Sequence, residues 1–290
     1  METTVISRRD FIKSGSVAAL GIAMLPQALK AQGQEKRKLK IAAQMYSVRD
    51  ACKVNFDKAL EDVAKIGFEG VEFAGFWNYS GKPKELKKRL DSLGLVAAGT
   101  HLGTGSFRGD NLKRTIDFYT ALDCKYLICP GDGDFTNPEK YKALAEFYSE
   151  TAAKLRNYGL YCGYHNHTNE FKVYNNKTYW DHFAENTTKE VVLQQDCGWS
   201  YVAGQNPAQL IRKYPGRTQI THFKPAVIKA DYGKKKAIIG QDSVPWVETI
   251  KACREVGATE WVTIEQETYP DKKSSMECLQ LSFEGLKELL

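Results

Sequence analysis

Eight short apolar runs recur between residues 38 and 290, and each is followed by a stretch whose hydrophobic residues return at helical spacing. The runs cover 40–44, 70–73, 96–100, 126–129, 160–164, 191–195, 219–223 and 261–265; the helical patterns cover 56–66, 83–93, 112–122, 138–158, 178–186, 207–214, 244–256 and 275–289. Strands that alternate with helices pair in parallel, because each crossover returns the chain to the end it left. Eight such units in about 250 residues predict an α/β chain closed into a single-domain (β/α)8 barrel. An open doubly wound sheet is the alternative, but no GxGxxG follows the first run, and Gly131-Asp132-Gly133-Asp134 reads as a turn. The 138–158 pattern shows the local logic. Pro138 stands at an entry position, Leu144, Phe147, Tyr148, Ala152 and Leu155 recur on one face, and Gly159 provides the stop.

Four successive runs finish in residue types that bind metals: Tyr164-His165-Asn166-His167, Asp196, His222 and Glu265. Four of the five histidines (101, 165, 167 and 222) fall at run ends, and a cluster of imidazoles with carboxylates points to one divalent cation or to acid-base chemistry. In a barrel the carboxyl ends of the strands face one mouth, where such enzymes hold their active sites. The same placement brings Gln44, Tyr46, Glu72, His101 and Lys224 to that mouth. Phe76, Trp77, Trp199 and Tyr201 are candidates for stacking on a sugar ring or for packing between helices. His182 reads as a helix-face residue.

Residues 1–33 read as an export leader. Ser7-Arg8-Arg9-Asp10-Phe11-Ile12-Lys13 is a twin-arginine pattern, and the apolar stretch 17–25 behind it is too short to span a bilayer. A periplasmic protein is therefore expected, with membrane attachment only through an uncleaved leader. The formal net charge is +6, but the first 40 residues hold eight Lys/Arg against three Asp/Glu. The remainder is nearly neutral, which argues against a nucleic-acid partner. Seven widely spread cysteines without a CxxC pair read mostly as buried thiols.

At these residues the chain resembles the sugar isomerase and epimerase superfamily built on the xylose isomerase-like barrel. That group includes inosose dehydratases, ketose 3-epimerases and a class of apurinic endonucleases. The resemblance rests on Ala43-Gln44-Met45-Tyr46-Ser47-Val48-Arg49, Tyr164-His165-Asn166-His167 with Glu170-Phe171, Asp196 with Trp199, His222-Phe223-Lys224 and Ile264-Glu265-Gln266-Glu267. It implies that His165, Asp196, His222 and Glu265 hold one divalent metal. Where the epimerases carry glutamate this chain has His165, so their pair of opposed glutamates does not carry over, and a one-sided isomerisation or an elimination is favoured. Two nitrogen and two oxygen ligands suit Mn, Co, Fe or Zn better than Mg. The resemblance further implies an enzyme for a small carbohydrate: an isomerase, epimerase or lyase acting through an enediolate on an unphosphorylated keto sugar, inositol or 3-keto glycoside. Glu265 is the first expectation for the base, with Glu170 and Glu72 behind it. His167, His101 and Lys224 are candidates for acid or oxyanion contact, and Gln44, Tyr46, Glu72, His101 and Trp199 for substrate contact. A non-catalytic carbohydrate-binding barrel and an endonuclease-like phosphodiesterase are the alternatives. The resemblance leaves room for a homo-oligomer. The stretch 226–244 has no periodicity, and its 239–243 part resembles a loop that covers the mouth in that group.

Overall fold

The computed structural model describes residues 38–290, so the leader pattern lies outside the described residues. Eight parallel strands follow one another in the order the apolar runs predict: β1 Lys40–Gln44, β2 Gly70–Phe73, β3 Val96–His101, β4 Tyr126–Cys129, β5 Tyr161–His165, β6 Val192–Gln194, β7 Ile220–Phe223 and β8 Trp261–Ile264. β1 pairs with both β2 and β8, and the sheet runs from β6 through β1 to β7 without a break. The ring closes between β6 and β7 through few bonds. Asp196 and His222 form a lone parallel bridge, Leu193 N donates to Arg217 O at 2.8 Å, and His222 N donates to Gln195 O at 2.9 Å. The seam of the barrel therefore lies where two of the expected metal ligands meet.

Inside the barrel, Ala42, Ala98, Tyr126, Ile128, Val192, Ile220 and Trp261 form an apolar plug separate from the larger core between strands and helices. Small residues on some strands make room for large ones on others. A Cβ on Gly70 would meet the Trp261 ring at 2.9 Å, so this glycine is required by close approach. Side chains alternate along a strand with period two. The next inward position above Ala42, Gly70, Gly163, Val192 and Ile220 is therefore Gln44, Glu72, His165, Gln194 and His222. Alternation alone stacks a buried polar layer on the plug at the carboxyl end.

The helices are α1 Arg49–Val54, α2 Phe56–Ile66, α3 Pro83–Leu93, α4 Asp110–Leu122, α5 Tyr141–Arg156, α6 Tyr179–Asn186, α7 Cys197–Val202, α8 Pro207–Lys213, α9 Trp246–Glu255 and α10 Ser275–Leu289. Pro138 is not the entry of α5; a turn intervenes and Lys140 is the N-cap. The short helices α1 and α7 follow strand ends directly and are too brief to show a periodicity. Phe76 and Trp77 prove to be packing residues: Phe76 lies 4.9 Å from the Phe118 ring and Trp77 stacks on Phe56 at 4.5 Å. All seven cysteines are buried and free. Among the described residues no helix is long and apolar enough to cross a membrane.

The expectation that 239–243 covers the mouth is corrected. Asp242 is buried; its Oδ2 accepts from Ala226 N at 3.0 Å and its Oδ1 from Trp246 Nε1 at 2.6 Å, while Ile239 N donates to Ser282 Oγ on α10. This part of the loop is fastened to α9 and α10. A Cβ on Gly285 would lie 2.0 Å from Ile239 O. Gly285→Ala should therefore cost about 1–3 kcal/mol by overpacking. Chemical denaturation checks this, and an unchanged midpoint would show that the loop is not fastened there.

Candidate metal centre

The polar layer contains four side chains that could hold a metal ion: His165 at the end of β5, Asp196 after β6, His222 on β7 and Glu265 after β8. One ligand atom from each lies within 4.8 Å of the others, and all four residues are buried. A second grouping, His101 with His165 and His222, shares two of these members and describes the same centre.

Gln194 and Glu72 hold the imidazoles in place. Gln194 Nε2 donates to Glu72 Oε1 at 2.6 Å, which fixes the amide with its oxygen toward the histidines. That oxygen accepts from His101 Nε2 at 2.8 Å and from His165 Nδ1 at 3.1 Å. His165 is thereby set with its proton on Nδ1 and its Nε2 lone pair facing Asp196 Oδ2 at 4.0 Å. His222 Nε2 donates to Glu72 Oε2, and its Nδ1 faces Glu265 Oε2 at 3.2 Å and Asp196 Oδ2 at 3.9 Å. Glu72 also accepts from Gln44 Nε2 at 3.0 Å. Gln44 and Glu72 are both 0% exposed. The expectation that they touch substrate is therefore corrected: they lie buried in the ligands' own layer, where Glu72 orients His222 directly, Gln44 acts through Glu72, and both carboxylate oxygens of Glu72 are engaged.

Asp196 is placed by the helix that follows it. Its Oδ1 caps α7 by accepting from Trp199 N at 2.8 Å, its backbone oxygen accepts from Ser200 Oγ, and Asn166 Oδ1 accepts from its N–H. The other oxygen, Oδ2, is buried and has no hydrogen-bond partner among the described residues. A buried carboxylate oxygen left bare is costly. Burial accordingly pushes the Asp196 pKa up to about 7, although the Lys224 ammonium 3.9 Å away pulls the other way. Burial opposes charge on His222 too, but Glu72 and Glu265 overcome it and raise its pKa to about 10. For Glu265, burial is outweighed by Lys224 at 3.0 Å and by His222, which hold its carboxyl well below the usual range. Burial and the neighbouring rings lower His165 well below the ordinary imidazole value. The donor set thus fits a divalent cation: one lone pair is preset on His165, one oxygen is bare, and protons on Asp196 and His222 stand where positive charge is wanted.

A pH dependence follows. A metal must displace protons from Asp196 and His222, so metal affinity should rise with pH and uptake near pH 7 should release about one to two protons per site. Both folded-state values lie above the ordinary values of 3.8 and 6.5 for these side chains. For each group the associated stabilisation of the metal-free protein is complete below the unfolded value and is lost as pH rises through about 7 and about 10. Proton release on metal titration in weak buffer checks the sign; proton uptake would contradict it.

Above the four ligands lies a cleft of about 390 Å³ lined by His101, His165, His167, Lys224, Glu265 and Glu267 together with Tyr46. His167 is lowered first by burial and then by Lys224, so it is neutral at pH 7, and its ring makes no hydrogen bond among the described residues. Lys224 forms ion pairs with Glu265 and Glu267, and these carboxylates with Asp196 raise its pKa against burial. It stays an ammonium, a charged contact rather than a proton donor. Glu170 is also corrected: its carboxylate turns back to accept from His167 N at 2.8 Å, and it does not line the cleft. Trp199 lines a neighbouring outer groove instead of the cleft itself, and Tyr201 packs against the core. Two residues of the site escaped the sequence reading. Gln194 lies two positions before Asp196, and Glu267 two positions beyond Glu265, so period two was the available signal for both.

Fold and site together define a (β/α)8 barrel with a cluster of candidate metal ligands at the carboxyl ends of its strands. The chain belongs to the xylose isomerase-like TIM barrel family, whose description matches it over residues 60–285. No curated protein matches the sequence. Among solved structures it is similar to a sugar phosphate isomerase/epimerase from Parabacteroides distasonis, at 22% identity and a TM-score of 0.70 over 90% of this chain and 97% of that one. It is also similar to a probable 3-DHS dehydratase from Bacillus anthracis, at 12% identity and TM-score 0.65, covering 86% of this chain and 99% of that one. A third is the IOLI protein with a bound zinc atom, at 13% identity and TM-score 0.64, covering 87% and 98%. These likenesses carry the fold.

Proposed function

We propose that this barrel is a divalent-metal-dependent enzyme that removes a proton from the carbon beside the carbonyl of an unphosphorylated keto sugar, inositol or 3-keto glycoside. The observation that carries this reading is the bare, buried Oδ2 of Asp196 within a set of four convergent ligand atoms. Relatives of the same fold include an isomerase/epimerase, a dehydratase and a zinc-bound protein, which agrees with such a centre. When bound, a divalent cation would polarise the carbonyl and favour negative charge on its oxygen.

The chain's own residues divide the remaining work. Glu265 was the first expectation for the base, but a carboxylate whose pKa is held so far down has little appetite for a proton. His167 is better matched: its imidazole is neutral at pH 7, unbonded, and on the wall of the cleft. In the proposed step His167 takes the proton, and the C–H electron pair becomes a carbon–carbon double bond. In isomerisation the imidazolium returns the proton, on the same face, to the former carbonyl carbon, while the hydroxyl proton of the neighbouring carbon passes to the first oxygen and leaves a new carbonyl behind. In elimination the C–O bond one carbon further breaks, and the same imidazolium gives its proton to the departing oxygen. A single base that becomes the acid suits a site whose second glutamate is replaced by His165. Lys224 keeps a positive charge beside the developing oxyanion. The twin-arginine pattern goes with a periplasmic enzyme, where unphosphorylated substrates are the expected supply. Incubating the metal-loaded protein with a panel of keto sugars in D2O tests the reading: deuterium should enter beside the carbonyl only with metal present, and no exchange with any substrate would overturn it.

A further inference from the structure

The inner cleft opens into a second, larger space. A groove of about 930 Å³ shares Lys224 and Glu267 with the cleft and runs outward over α7 and the 226–237 stretch. Its walls present Trp199, Val202 and Tyr232, of which Val202 is 46% and Tyr232 66% exposed. Exposed apolar side chains beside a site are costly to keep bare. The rim carries Arg49, Lys234, Lys235 and Lys236 beside Lys224, and only some of these cations are paired with carboxylates. Lys236 pairs with Asp271 at 2.5 Å and Lys235 with Asp231 at 3.0 Å, while Arg49 donates to Tyr46 O and Tyr269 Oη. Lys234 lines the groove without an ion pair among the described residues, so polar and charged groups stand beside the apolar wall. A sugar ring suits such a surface, because its apolar face can lie on the aromatic and aliphatic wall while its hydroxyls meet the lysines and Glu267.

We infer that the outer groove is a subsite for the second sugar ring of a glycoside, with the reacting ring in the inner cleft and the bond between them beside Lys224 and Glu267. This rests on the proposed function for the identity of the reacting ring. It extends that function by setting the size of the substrate: a disaccharide rather than a free monosaccharide. Lys224 ties the two compartments together, since its Nζ lies 4.8 Å over the Trp199 ring and 3.0 Å from Glu265 Oε2. A ring seated on the groove wall therefore sits next to the charged contacts of the cleft.

The test compares two probes, a 3-keto disaccharide and the methyl 3-keto glucoside, on the metal-loaded full chain, wild type beside Tyr232→Ala and Val202→Trp. The disaccharide should be turned over with a kcat/KM at least about tenfold higher than the methyl glycoside. Both variants should raise its KM by about tenfold, while the methyl glycoside, which leaves the groove empty, keeps its kinetics. Equal kinetics for the two probes in wild type and both variants would overturn the subsite while leaving the enzyme reading intact. Saturation-transfer NMR with the unoxidised disaccharides cellobiose and trehalose, against glucose, reads the groove without turnover. Disaccharide binding weakened by Val202→Trp supports the subsite even if no keto sugar reacts; absence of both binding and turnover overturns it.

Discussion

Glu265→Gln is expected to lose metal and turnover together, whereas His167→Gln keeps the metal and loses turnover by about 10²- to 10⁴-fold, the usual contribution of a positioned acid-base group. The two residues face one cleft, but their surroundings differ. Glu265 lies within the set of four ligand atoms and is held ionised by Lys224 and His222. A neutral amide there removes one ligand charge and leaves the Lys224 ammonium with Glu267 and, at 3.9 Å, Asp196. His167 has its ring free, and its lowered pKa supplies a base at neutral pH. Metal content by elemental analysis beside single-turnover deuterium exchange separates the two roles. Full activity in Glu265→Gln would remove it from the centre, and full activity in His167→Gln would return the base role to a carboxylate.

Asp196→Asn should make the metal-free protein more stable by about 1–3 kcal/mol, the cost of a buried polar group without a partner, and should abolish the stabilisation that metal confers on wild type. The substitution keeps Oδ1 as the cap of α7, so the local fold is retained. It replaces the bare Oδ2, whose pKa burial has pushed to about 7, with a neutral amide. In wild type, metal at a hundred times its dissociation constant should add about 2.7 kcal/mol by mass action. The loss of metal-free stability between about pH 4 and pH 8 should flatten in the variant as well, because its raised carboxyl is gone. Thermal melts with and without metal across that range decide the matter. A destabilised metal-free variant would mean that Oδ2 finds a partner in solution and is not waiting for a cation.

Most of the fold was legible because a barrel repeats one unit, and each apolar run with its following amphipathic stretch could be read locally. The pieces that were not legible are those set by distant partners. Pro138 looked like a helix start, yet the helix begins only after a turn capped by Lys140. The 239–243 segment looked like a cover for the mouth, but Gly285 on α10 offers its Ile239 carbonyl a close seat that no local pattern announces. In the site, strand-end placement brought His165, Asp196, His222 and Glu265 together correctly. It could not tell the wall of the cleft from the layer beneath. Gln44 and Glu72 share the inward layer with His165 and His222, and only three-dimensional packing reveals that their polar groups are spent on one another and on His222. Glu170 was misplaced for a similar reason, since a turn directs its carboxylate to the His167 N–H.

The account stands most directly on whether the four convergent side chains hold a metal that makes a carbon acid of the substrate. Purified protein, wild type beside His222→Ala, should be analysed for metal and then stripped, reloaded and mixed with keto sugars in D2O. The account predicts one Mn, Co, Fe or Zn per wild-type chain, little in the variant, and deuterium exchange beside the carbonyl that appears and disappears with the metal. Metal-free wild type that cannot be reloaded, or exchange that persists after stripping, would contradict it.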